Sequence, residues 1–115
     1  MVSILIPSYN NLNYLKLCLK SIFKNSREKH EIIIHVNDGS DGTLEYVKKN
    51  NIKYSHSANN VGLCTAINTA AKLSTLKYIL YAHDDMYFCP DWDKVLSDEV
   101  KSLDHDNYYL SGTMI

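Results

Sequence analysis

The 115-residue chain lacks most of the features that assign a protein at a glance. Its three cysteines, Cys18, Cys64 and Cys89, are odd in number and far apart, with no Cys-x-x-Cys. A disulfide-stapled scaffold is excluded, and reduced thiols in a cytoplasmic setting are expected. Zinc is not expected, because no cysteine has a second cysteine or a histidine at ligand spacing. No apolar run approaches the ~20 residues of a membrane span. The run at residues 3–6 is too short for the apolar region of a signal peptide, so no leader is expected. A formal net charge of −1, with basic residues scattered, leaves no electrostatic footprint for nucleic acid or an anionic membrane. Neither Gly-x-Gly-x-x-Gly nor Gly-Lys-Ser/Thr occurs, which argues against a Rossmann dinucleotide enzyme and a P-loop NTPase. What is present is a globular composition, 45% apolar and 22% charged, over a length that suits one domain, residues 1–115.

Short apolar strands alternate with amphipathic helices along the chain. Residues 2–6 read as a strand closed by Pro7. Leu12, Leu15, Leu19, Ile22 and Phe23 recur at three- and four-residue steps, which predicts a helix over about 11–24 with Asn10 or Asn11 as its N-cap. Residues 31–36 form a near-continuous β-branched run, the mark of a central parallel strand covered on both faces. A short helix through Leu44 and Val47 follows, then an alternating edge strand at 52–56. A helix runs through Leu63, Ala66, Ile67, Ala70 and Leu73, and a strand occupies 78–82. Pro90 suits the first turn of a last helix carrying Trp92, Leu96, Val100 and Leu103. A final strand is expected to begin at Tyr108. The class is α/β, Rossmann-like, with a mostly parallel sheet and helices on both faces.

Three polar clusters each follow a strand: Pro7-Ser8-Tyr9-Asn10, Asn37-Asp38-Gly39-Ser40-Asp41-Gly42 and His83-Asp84-Asp85. In an open parallel sheet, ligands sit beyond the carboxyl ends of the strands, where the strand order reverses. If the first three strands step outward one way and the fourth returns beside the first, Tyr9, Asp38 and Asp84-Asp85 surround one crevice. Asp84 and Asp85 end a buried strand, and adjacent carboxylates there invite a cation. Magnesium or manganese suits a site that shares few carboxylates with phosphate oxygens. The plainer alternatives are that Asp84 or Asp85 caps a loop, that Asp38 only holds an Asx turn, and that Tyr9 is one half-buried aromatic among nine tyrosines. Asn59 and Asn60 equally suit a loop-holding role. His83 suits metal ligation or acid–base work, or only a hydrogen bond to its acidic neighbours. His30, His35, His56 and His105 have no partners at motif spacing and read as structural.

These residues together resemble the family 2 glycosyltransferases, whose nucleotide-sugar-binding domain has the A-type fold. The opening Val2-Ser3-Ile4-Leu5-Ile6-Pro7-Ser8-Tyr9-Asn10 looks like that family's first strand. Val36-Asn37-Asp38-Gly39-Ser40-Asp41-Gly42-Thr43 resembles its V-D-D-G-S signature. Asn60-Val61-Gly62-Leu63 with Ala66-Ile67-Asn68 resembles its N-x-G segment, and Ala82-His83-Asp84-Asp85-Met86 before Pro90-Asp91-Trp92 resembles its D-x-D metal motif. The resemblance implies that Pro7, Tyr9 and Asp38 contact base and ribose, and that Asn60 and Gly62 line the base pocket. It implies that Asp84 serves the sugar, ribose and diphosphate, and that Asp85 ligates a divalent metal, Mn2+ or Mg2+. The implied donor is a nucleotide-diphosphate sugar, most simply a UDP-sugar, and the implied reaction is inverting transfer to an acceptor hydroxyl.

The sequence departs from the family pattern at several positions. Ala82 stands where the longer D-x-D-D form begins with an aspartate, Asn37 where aspartate is common, and Ile67 where arginine often precedes the asparagine. Family members continue beyond this length into an acceptor-binding half with the general base. The chain is therefore expected to be a donor-binding half whose catalytic base lies elsewhere, with exposed apolar surface that favours self-association. A nucleotide-diphosphate and metal-binding module without transferase activity is the alternative. A phospho-acceptor receiver domain fits poorly, because its acidic pair belongs where Pro7-Ser8-Tyr9-Asn10 stands.

Overall fold

The computed structural model describes residues 1–106 and 108–112. Four strands, β1 (Ser3–Tyr9), β2 (Glu31–Asn37), β3 (Lys53–Ser57) and β4 (Ile79–Tyr81), alternate with four helices. The helices are α1 (Leu12–Asn25), α2 (Thr43–Lys49), α3 (Leu63–Ala71) and α4 (Trp92–Lys101). The sheet has the order β3-β2-β1-β4 and every pairing is parallel. The order therefore reverses between β1 and β4, as the expected crevice requires.

Side-chain alternation divides the core into two layers. Ile4, Ile6, Ile34 and Val36 face Leu15, Cys18, Leu19 and Ile22 of α1, with Val47, Ala82 and Phe88 completing that layer. Leu5 and Ile33 face the other way, onto Ala70, Ile67 and Ala71 of α3. The central strands are thus apolar on both faces, which explains why residues 31–36 read as a continuous β-branched run.

Three expectations are corrected. Pro7 does not close β1, which continues to Tyr9 beside β2. The Ser3 N–H points to β4, where it donates to the Tyr78 carbonyl at 2.9 Å. Alternation puts the Pro7 nitrogen on that same side, where pairing with β4 has already ended at Leu5↔Tyr81. The missing N–H therefore costs no ladder bond. The last helix begins at Trp92, after Pro90, because Asp91 adopts a left-handed conformation with φ 61°. Residues 108–112 form no strand. No described strand lies beside them to supply a ladder, and the Tyr108 ring instead stacks on Tyr78 with centroids 6.2 Å apart.

Candidate active site at the strand tips

All seven site residues expected from sequence lie at the carboxyl ends of the strands or in the loops leaving them: Pro7 and Tyr9 on β1, Asp38 after β2, Asn60 and Gly62 after β3, Asp84 and Asp85 after β4. Direct hydrogen bonds join the tips. Asn10 Nδ2 donates to Asp38 Oδ2 at 3.1 Å, while Asn10 Oδ1 accepts the Gly39 N–H at 3.1 Å. One amide thus spans the gap between the first and second tips. On the other side, Ser8 Oγ donates to Asp84 Oδ2 at 2.9 Å and Asn11 Nδ2 to Asp84 Oδ1 at 3.3 Å.

Asp38 is held by more than its bridge to Asn10. Its carboxylate also accepts from the Ser40 N–H and hydroxyl, and its own carbonyl accepts from His56 Nε2 at 2.8 Å. The Asn10 amide, and after it the Ser40 donors, hold the Asp38 carboxyl below its ordinary range, so it is an ionised acceptor at neutral pH. Its backbone is left-handed at φ 60°, a conformation that aspartate and asparagine tolerate best after glycine. Gly39 follows at φ 85°, and a Cβ there would lie 2.6 Å from Val36 Cγ1. The turn therefore requires glycine, and it fixes the carboxylate just beyond the core.

The N-cap expectation for α1 is half right. Asn11 occupies the cap position but makes no side-chain cap bond. Asp41 caps instead, its Oδ2 accepting the Leu12 N–H at 3.1 Å and its Oδ1 accepting from the Thr43 N–H and hydroxyl. One carboxylate seats the first turns of α1 and α2, which releases Asn11 to reach Asp84. Sequence reasoning placed no function on Asn11 or Asp41. Asp41 belongs to the polar cluster after β2, and Asn11 directly follows the cluster at the β1 tip; that proximity is the available signal.

Asp85 stands apart from this network. It is exposed and makes no hydrogen bond or ion pair with the described residues. Its field is felt beneath the loop. Burial, then Asp84 and Asp85, push the Cys18 thiol up to about 12, and the same three causes raise Tyr81. Two hard carboxylates in a negative field, one of them with every acceptor free, fit a divalent cation such as Mg2+ or Mn2+. His83 is exposed beside them, with its ring 4.9 Å from Tyr81 and the Tyr81 hydroxyl 3.1 Å from each ring nitrogen.

The loop after β3 is tied to β2. Asn37 Oδ1 accepts the Val61 N–H at 3.0 Å, and Asn60 Oδ1 accepts the Gly62 N–H at 3.0 Å. Gly62 has φ 82°, and a Cβ there would meet no atom within 4 Å, so its backbone faces open space. Tyr9 is also open, at 52% exposure, and Pro7 is half-buried. The tips form an open shelf; the hollows of about 410 Å3 beside Val47 and Tyr54 and about 160 Å3 beside Leu17 and Tyr87 lie away from it.

Among the described residues, Glu28, His30 and Asp93 bring potential ligand atoms within 4.8 Å of one another at the opposite end of the sheet. The chemistry there is not that of a vacant metal site. His30 Nδ1 accepts the Val2 N–H at 3.1 Å, so Nε2 carries the proton and donates to Asp93 Oδ2 at 3.0 Å. Both ring nitrogens are already engaged.

The pattern of Glycosyl transferase family 2 matches residues 3–114. An uncharacterized glycosyltransferase of Rickettsia bellii is 31% identical over 118 residues, covering 97% of this chain and 16% of that protein. The chondroitin synthase of Pasteurella multocida is 38% identical over 96 residues, covering 79% of this chain and 10% of the synthase. The crystal structure of Staphylococcus aureus TarS residues 1–349 in complex with UDP superposes with a TM-score of 0.78 at 25% identity, covering 89% of this chain and 32% of that one. The chain thus spans a small part of its curated relatives, 16% and 10% of these two. A match over nearly its whole length nevertheless settles the family: the chain belongs to the family 2 glycosyl transferases.

Proposed function

We propose that residues 1–115 form a nucleotide-sugar-binding domain that takes a UDP-sugar together with Mn2+ or Mg2+. In the complete enzyme the sugar then passes to an acceptor hydroxyl with inversion. Asp38 accepts from the base, Pro7 and Tyr9 lie against base and ribose, and Asn60 and Gly62 line the base pocket. Asp84 orients the sugar and diphosphate, and Asp85 is the metal ligand. The bound cation would offset charge growing on the leaving diphosphate. In-line attack needs an acceptor hydroxyl and a base within reach, and the catalytic base is expected outside these residues.

The observation that carries this reading is the Asp85 carboxylate, without a hydrogen-bond or ion-pair partner among the described residues, beside a shelf where Asp38 and Asp84 are held by Asn10, Ser8 and Asn11. The UDP complex of the TarS relative supports the choice of uracil nucleotide. The unpaired Cys18, Cys64 and Cys89 support a reducing, cytoplasmic setting. Exposed Val61 and Leu63 beside the shelf support self-association.

Calorimetry with UDP in Mn2+, in Mg2+ and in a chelator tests the reading. Binding should require the cation, and Asp85→Ala should weaken it by at least about 10- to 100-fold, the loss typical even of outer partners of a metal site. The melting temperature should not change. Undiminished affinity in the variant would remove the metal assignment. A second reading, a binding module without transfer, is favoured by the engagement of both exposed imidazoles at the shelf, His83 with Tyr81 and His56 with the Asp38 carbonyl. Acceptor-dependent turnover by this chain would exclude it.

A further inference from the structure

His35 is 1% exposed in the middle of β2, yet both of its ring nitrogens are bonded. Nδ1 lies 2.7 Å from Ser55 Oγ and Nε2 lies 3.0 Å from Ser57 Oγ, both hydroxyls belonging to β3. Ser57 Oγ in turn donates to the Asn59 carbonyl at 2.7 Å, with Asn37 Oδ1 as a longer second acceptor at 3.1 Å. A hydroxyl has one proton, so the direction of this chain is set by the imidazole. If Nε2 carries the ring proton, Ser55 donates to Nδ1, Nε2–H donates to Ser57, and the Ser57 proton points outward to Asn59. In the other tautomer, Ser57 must donate inward to Nε2, and the Asn59 carbonyl loses its donor.

We infer that His35 is a positioning residue for the loop at 59–62. As the neutral Nε2–H tautomer it turns the Ser57 hydroxyl onto that loop, beside the parallel clamp from Asn37 to the Val61 N–H. Burial, with His56 nearby, lowers the His35 pKa and keeps the ring neutral, consistent with this arrangement. The inference rests on the proposal that Asn60 and Gly62 line the base pocket. Its consequence is selective: the chain His35–Ser57–Asn59 supports recognition of the base and does not act on the diphosphate and cation at the β4 tip.

Nitrogen-15 NMR of the unliganded protein should give the Nε2–H pattern for His35; an Nδ1–H pattern would overturn the inference. Ser57→Ala should weaken UDP binding in Mn2+ on the order of 5-fold, the size of one neutral hydrogen bond. Binding of inorganic pyrophosphate in Mn2+, a probe without a base, should be unchanged, and Ser57→Thr should restore UDP binding. Equal losses for UDP and pyrophosphate, or no loss for UDP, would overturn it. Should Ser57→Ala fail to fold, the tautomer in the wild-type protein decides. Should wild-type protein fail to bind UDP, the donor assignment falls, while the His35 tautomer still tests the direction of the chain to Asn59.

Discussion

The two ends of the sheet use the same side chains in opposite ways. At the amino ends of the strands, Glu31 accepts from Ser3 Oγ, Lys53 Nζ and both the N–H and hydroxyl of Thr75. Asp93 there accepts from the N–H groups of Arg27, Glu28 and Lys94 and from His30 Nε2. At the carboxyl ends, Asp84 accepts two donors, one of them at 3.3 Å, and Asp85 accepts none from the described residues. Carboxylates saturated by their own chain lock β1, β2 and α4 together. Carboxylates left with free acceptors can act only on something that arrives. The distribution of donors, more than the count of acids, separates Glu31 and Asp93 from Asp84 and Asp85.

The strongest way to break this contrast is to remove the buried acid. Asp93→Ala leaves the N–H groups of Arg27, Glu28 and Lys94 and the His30 imidazole without their acceptor. At about 1–3 kcal/mol for each orphaned donor, the loss should reach on the order of 3 kcal/mol or more. Urea unfolding measures it. Where Asp93→Ala remains folded, UDP affinity in Mn2+ should equal that of the wild type. Asp85→Ala should show the converse, full stability with binding lost. If both variants lost stability alike, the two ends would not differ in kind.

Glu31 sharpens the same contrast through pH. Burial opposes its ionisation, but the Lys53 ammonium and the donors of Ser3 and Thr75 outweigh burial and hold the carboxyl at about 2. The unfolded chain binds the proton more readily, near the ordinary glutamate value. The contribution is therefore complete above about pH 4.5 and is lost as pH falls through about 2. Glu31→Gln should cost about 1–2 kcal/mol at neutral pH, the scale of a charge-assisted hydrogen bond net of solvation. The difference between wild type and variant should shrink steadily in denaturation curves taken from pH 4.5 downward. A constant difference over that range would mean that the charge contributes nothing.

Much of the binding end was legible in the sequence because each polar cluster directly follows a strand, and periodicity locates strands. The assumed strand order, the central run at 31–36 and the placing of Asp38, Asp84 and Asp85 on one shelf all rest on that. What could not be read was pairing at a distance. Asp41 caps a helix that begins 29 residues earlier, Asn11 reaches an acid 73 residues on, and His30 meets Asp93 across 63. No local pattern encodes such partners. Pro7 misled for another reason: a proline ends pairing only on the side its nitrogen faces, and which side that is depends on the fold. The expected strand at Tyr108 failed because β propensity supplies no partner strand.

The smallest expected effect concerns which base the shelf prefers, and it tests whether Asp38 belongs with the free acids or with the bound ones. Asp38 is intermediate: three donors hold it, yet a carboxylate has about four acceptor sites, so at least one remains. Held below its ordinary range by the Asn10 amide, it is ionised at neutral pH and can only accept. Uracil offers an imide N–H to such a group, whereas cytosine presents a bare ring nitrogen at the same place. Asp38→Asn preserves the left-handed turn, since asparagine tolerates φ 60° as well as aspartate does. It adds an NH2 donor that suits cytosine and removes the charge that favours uracil. The ratio of UDP to CDP affinity in Mn2+ should therefore fall roughly 5- to 10-fold, about 1 kcal/mol, with the melting temperature nearly unchanged. An unaltered ratio would place Asp38 with Asp93, as an acid whose acceptors serve the fold alone.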